Sequence, residues 1–175
     1  MEFDLSLPTR APPDRTAPSE KVRAMRRIDV TRTIDAPIAA VFEAYIDHER
    51  LSDLPMVRSV TIAVPGRDEK NGLGAVRVVD SGLVLLREEI TAFERPNLME
   101  CRIRESRPKT EHELGRVEFA QHGDRTKVTW TTVFGLHNPI LALTEPIFAA
   151  CFKAIFTLTL KQVEKRAVTA SAHKP

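Results

Sequence analysis

Acid–base chemistry inside a protein needs a carboxyl group carried into apolar surroundings, and the run Leu83–Phe93 (LVLLREEITAF) offers one. Read as a strand, whose side chains alternate between faces, it puts Glu88 on the side of Val84, Leu86, Ile90 and Ala92. Desolvation there disfavours the charged form, raises the pKa and suits the group to general acid or base work. Glu113 is a second candidate, in phase with Val117 and Phe119 on the run His112–Gln121. Tyr45, the only tyrosine, offers a phenolic hydrogen bond from an amphipathic segment, although packing is its commoner use.

Spacing argues against several other chemistries. The five histidines, His48, His112, His122, His137 and His173, form no His-x-His or His-Glu-x-x-His pair. Glu111-His112-Glu113 lies on a strand, so its neighbours point to opposite faces and do not converge on one ion. No metal and no cofactor is therefore expected. Neither a Gly-x-Ser-x-Gly elbow nor a glycine-rich phosphate loop occurs. Cys101 and Cys151 lack Cys-x-x-Cys spacing and read as buried free thiols in a reducing compartment. Lysine plus arginine total 26 against 24 acidic residues, a net +2, so nucleic acid is not an expected partner.

These groups need elements to hold them. Arg27–Ile34 alternates as a strand, with Arg32 the polar exception on its apolar side. Asp35-Ala36-Pro37 then starts a short helix carrying Val41, Phe42, Tyr45 and Ile46, with Asp35 as a capping group. His48 to about Leu54 forms a second short helical segment. Strands follow at Val57–Val64, Gly74–Asp80, Leu83–Phe93, Leu98–Glu105, His112–Gln121 and Lys127–Phe134, with a polar loop at Ser106–Glu111. Met99, Cys101 and Ile103 share one face of their strand; Val128, Trp130, Thr132 and Phe134 share one face of theirs. Pro139 opens a long terminal helix, Ile140–Val163, on which Phe148, Phe152 and Phe156 stand along one side.

Tight turns between strands make the sheet antiparallel, with one apolar face to bury. A single long helix is left to cover it. With 8 Phe, 1 Trp and 1 Tyr in the chain, the space between helix and sheet is expected to hold a cavity. The helix approaches membrane-spanning length, but Glu145, Pro146 and Lys153 are costly in hydrocarbon, so no stable membrane insertion is expected. The first residues are rich in Pro, Ser, Thr and charge and lack the apolar core of a signal peptide, which points to a flexible leader and a cytoplasmic protein.

In order and in residues, the chain resembles the START-like, helix-grip superfamily (SRPBCC), and within it the polyketide cyclase/dehydrase and lipid-transport family. VTRTIDAPIAAVFEAYIDHERLSDL resembles the first strand and paired helices, and VRSVTI the second strand. REEITAFERPNLME resembles the central strand, proline turn and next strand, and GDRTKVTWTTVF the last hairpin. The resemblance implies an α+β helix-grip fold, about seven curved antiparallel strands around a long C-terminal helix. It places a leader at residues 1–25, the domain at 26–168 and a disordered tail at 169–175. It further implies an internal cavity for a hydrophobic small molecule such as a lipid, polyketide or isoprenoid. The expected lining is Tyr45, Leu86, Glu88, Met99, Cys101 and Val117 on one side, and Trp130, Thr132, Phe134, Phe148, Phe152 and Phe156 on the other. Two other functions fit: a cyclase, aromatase or dehydratase using Glu88, or an interaction module of co-chaperone type, which calls for a large exposed apolar patch. The iron ligands of the Rieske oxygenases that share the superfamily have no counterpart here. The pattern fixes no oligomeric state.

Overall fold

A computed structural model describes residues 25–54, 57–82, 84–107, 109–136 and 145–172. The strands are β1 (Arg26–Ile34), β2 (Ser59–Val64), β3 (Val76–Asp80), β4 (Leu85–Glu94), β5 (Leu98–Arg107), β6 (Thr110–His122) and β7 (Arg125–Leu136). The helices are α1 (Ile38–Ile46), a 3-10 turn at His48–Asp53 and α2 (Glu145–Ala172). The leader, and the Ile140 start expected for the last helix, fall outside the described residues. That helix runs to Ala172, into the span expected as a tail. The polar loop expected at Ser106–Glu111 shrinks to a tight connection, because β5 and β6 extend into it.

All seven strands form one antiparallel sheet in the order β1-β7-β6-β5-β4-β3-β2. The β3–β4 connection turns at Gly82, whose φ of 79° lies in the region that side chains with a Cβ avoid. That tight hairpin sets a register in which Arg77 faces Glu88. The capping role expected for Asp35 is not observed, and α1 has no side-chain N-cap from its own start. Instead, Gln121 Oε1 from the end of β6 accepts the Ile38 N–H at 2.7 Å.

Hydrophobic burial holds α2 unevenly. In its C-terminal half Thr159, Leu160, Val163 and Ala167 are buried on one stripe, packed with the α1 residues Val41, Phe42, Tyr45 and Ile46 and the β1 residues Ile28, Val30 and Ile34. Arg32 also finds its reason here: it reaches α2 and pairs with Glu164. The N-terminal half attaches through Phe148, Phe152 and Phe156, while Ile147 and Leu158 are exposed.

Two nearby leucines test this division by urea denaturation. Leu160→Ala, at a fully buried position, is expected to destabilise by about 2–5 kcal/mol. Leu158→Ala, on the exposed side, is expected to change stability by less than about 1 kcal/mol.

Candidate functional site

The inner face of the sheet carries an ion pair. β3 presents Arg77 and β4 presents Glu88 at directly opposed positions, and both side chains are almost wholly buried. Arg77 Nε donates to Glu88 Oε2 at 2.5 Å, and Nη2 lies 4.0 Å from Cys101 Sγ. Burial is the largest influence and opposes the Arg77 charge, but the charge and hydrogen bond of Glu88, with Cys101 and Tyr45, together hold the guanidinium pKa above its ordinary value. The sequence reading of Glu88 as a carboxyl among apolar neighbours is thus corrected, because its cross-strand neighbour is a guanidinium. Arg77 Nη1 is buried and has no hydrogen-bond partner among the described residues.

Around this pair lies a small cavity of about 60 Å³ between the sheet and α2. Its polar side consists of Arg77, Glu88, Cys101, Thr110, His112 and Thr132, and its apolar side is formed chiefly by Trp130, Phe134, Phe152 and Phe156. Trp130 and Phe156 stack with centroids 4.0 Å apart, and Phe152 meets the Phe134 ring edge-on at 5.2 Å. Leu86 and Ile103 complete the strand side. At Gly115, a Cβ would stand 2.8 Å from Cys101 Sγ, so the glycine keeps this part of the cavity open.

His112 was not anticipated in this place, and Glu113 is not there. The β6 register shifts between His112 and Leu114, an irregularity that re-aims the side chains before it. His112 turns toward the cavity and Glu113 turns to solvent, overturning the inward reading of Glu113. The His112 Nδ1 accepts the Ile103 N–H at 3.2 Å, so the neutral ring carries its proton on Nε2, 3.1 Å from Thr132 Oγ1. Nε2 then donates to Thr132, leaving the threonine hydroxyl proton free to point into the cavity. Burial lowers the His112 pKa, partly offset by Glu88.

The remaining expected lining residues stand elsewhere. Met99 and Val117 are buried in the main core rather than at the cavity surface, and Phe148 packs on that core. Tyr45 packs edge-on against Trp130, Phe119 and His48, behind the cavity wall. Burial pushes its phenol pKa up. His48 is buried beside it with Nε2 unpartnered among the described residues, and burial, helped by the Arg77 charge, drives its pKa well down. The two cysteines differ: Cys101 is buried, its thiol pushed up to about 12 by burial, whereas Cys151 is exposed, against the expectation of two buried thiols.

A larger concavity, about 1320 Å³, is an open surface groove between α1 and the C-terminal half of α2, with Ala40, Ala44, Arg166 and Ala170 among its walls. No residue of the sheet lines it, and it is open to solvent where the inner cavity is enclosed; its charged walls include Arg166, whose buried guanidinium nitrogens have no hydrogen-bond partner among the described residues. Size alone does not make it the site. No group of His, Cys, Asp or Glu suited to a metal ion occurs among the described residues.

With the fold and this cavity established, the chain belongs to the polyketide cyclase/dehydrase and lipid-transport family, whose model matches residues 25–168. It is similar to solved helix-grip structures. One is a protein from Thermus thermophilus, 22% identical with TM-score 0.68, covering 83% of this chain and 99% of that one. Another is the Zhui aromatase/cyclase from a Streptomyces species, at 20% identity and TM-score 0.66, covering 82% and 94%. A START superfamily protein from Mycobacterium smegmatis shares 11% identity with TM-score 0.60, covering 85% and 98%. At these identities the likeness is one of fold. No curated protein matches the chain.

Two measurements check the electrostatics. In the unfolded chain His48 and His112 take up protons near the ordinary 6.5, but the folded protein keeps both neutral to lower pH. Below about pH 6.5 the unfolded state therefore binds more protons, and stability is lost as the pH falls toward the depressed folded values. The urea midpoint should drop between about pH 7 and pH 5, less steeply in His48→Phe. Alkylation at about pH 8 followed by mass mapping should modify Cys151 and spare Cys101 in the native protein.

Proposed function

We propose that the protein binds a hydrophobic small molecule bearing an acceptor oxygen, a carbonyl, enolate or hydroxyl, in the cavity between the sheet and α2. The observation that carries this reading is the buried Arg77–Glu88 pair at a cavity walled by aromatic rings, with Arg77 Nη1 left without a hydrogen-bond partner among the described residues. A buried guanidinium nitrogen without a partner is unfavourable by about 1–3 kcal/mol, and a ligand oxygen relieves that cost. Thr132, on the same polar side of the cavity, supplies a second donor. Stacked rings favour a flat or elongated apolar body, whose burial contributes roughly 25 cal/mol per Å². Lipids, polyketides and isoprenoids all fit this chemistry, and family membership supports it.

Drug-sized ligands occupy about 300–1,000 Å³, more than the cavity of about 60 Å³. The ligand therefore enters by displacing Phe152 and Phe156 with the loosely held N-terminal half of α2. A cyclase-type reaction is the second reading. The juxtaposition of Arg77, Glu88 and Thr132 favours it, because two donors on one oxygen stabilise a developing enolate.

Native mass spectrometry of protein from its own host, with extraction of any bound compound, tests the proposal. An apolar compound with at least one acceptor oxygen is the expected result. Trp130 is the single tryptophan, so its emission should shift when that compound is added back. Thr132→Val should weaken binding about fivefold, one neutral hydrogen bond. An empty protein whose Trp130 emission is unmoved by long-chain fatty acids and by hydroxynaphthalenes would remove the binding reading. A recovered compound that the protein converts to another establishes the enzymatic one.

A further inference from the structure

We propose that the outward side of α2 docks the protein reversibly on an anionic lipid surface. Ile147, Cys151, Ala154 and Leu158 recur at alternating four- and three-residue spacings, which lines them up on one side of the helix. All four are exposed, Ile147 at 65% and Leu158 at 38%. The outward side of a helix on a soluble domain is ordinarily polar, and a contiguous apolar face there marks an interaction surface. The same line continues into Lys161 and Lys165, both exposed, and from Pro146 to Val163 the helix carries no acidic residue. The face is thus apolar over its first turns and cationic beyond them.

Charge decides between occupants. If two copies paired along this line, Lys161 and Lys165 would meet each other in a parallel arrangement, or Ile147 and Cys151 in an antiparallel one. Neither arrangement offers the lysines a carboxylate along the seam. Anionic headgroups supply that counter-charge, and the acyl boundary accepts the apolar turns. The helix Pro146–Ala172 is long enough to cross a bilayer, and its most apolar 18-residue window, with mean hydropathy 1.3, is apolar enough. Its opposite side, however, is committed to the domain through Leu160, Val163 and Ala167, so α2 lies on the surface instead of crossing it. Two large apolar side chains and a pair of lysines make a weak contact, which is why the docking is reversible. The inference needs no ligand in the cavity and stands apart from that reading.

The test is co-sedimentation of the full chain, without added ligand, with vesicles of phosphatidylcholine alone or with about one-third phosphatidylglycerol. Binding is expected to the anionic vesicles and should weaken as salt rises from about 0.05 to 0.5 M. Ile147→Asp and Lys161→Glu/Lys165→Glu should each lower partitioning about tenfold or more. Val64→Asp, at an exposed position on β2, should leave it unchanged. Circular dichroism confirms that each variant folds. Equal binding by Ile147→Asp and the parent chain, or no binding to either vesicle, overturns the proposal. A dimer that Ile147→Asp dissociates, without vesicle binding, overturns it in favour of self-association.

Discussion

A guanidinium buried on the inner face of a sheet has to meet its counter-charge there, and the pairing of Arg77 with Glu88 organises this end of the molecule. Removing one partner of a buried pair is unfavourable by about 3–5 kcal/mol, because the other charge is left uncompensated. A one-residue slip of β3 against β4 would turn Arg77 to the other face and leave Glu88 behind. The pair therefore reinforces the register that the turn at Gly82 sets. Cys101, Tyr45 and His48 are packed beside it and stay neutral chiefly because burial disfavours their charged forms. The concave face is a polar patch within an apolar surround, with Arg77 Nη1 unpartnered among the described residues.

The other organising feature is the asymmetry of α2. Its C-terminal half completes the main core, filling the angle between α1 and β1 with Leu160, Val163 and Ala167. Its N-terminal half is attached chiefly by Phe148, Phe152 and Phe156, with Ala149 beside them and solvent on the other side. Part of the helix therefore completes the main core, and part is a wall held mainly by ring contacts.

The fold was legible in the sequence because alternation, turn residues and the long terminal helix agreed with one another and with a known family. The inner phases of β5 and β7 were legible for the same reason: Met99 and Cys101, and Trp130, Thr132 and Phe134, all point inward. What failed was local. A register shift in β6 leaves no mark in the alternation, so Glu113 was placed inside and His112 was missed. Arg77 was passed over because Ala75 and Val79 on its own face, and Val76 and Val78 on the other, make both faces of β3 look apolar. Hairpin arithmetic could have found it: a turn that opposes Asp80 and Leu85 also opposes Arg77 and Glu88. The Asp35 cap failed because Gln121 is distant in sequence and adjacent in space.

These features together constrain how a cavity of about 60 Å³ can serve a larger ligand. Its polar groups all stand on strands, where ladder hydrogen bonds on both sides hold β3, β4, β6 and β7 in place. Phe152 and Phe156 stand on the half of α2 with no such restraint. Moving them forfeits aromatic contacts worth about 0.5–1.5 kcal/mol each beyond their area burial, a loss that an apolar ligand recovers by taking their place against Trp130 and Phe134. The donors that orient a ligand are thus fixed to the sheet, while the wall that sets its size is free to yield. On the proposed binding function, such a division would make the position of the ligand oxygen specific and leave the length of its apolar body variable.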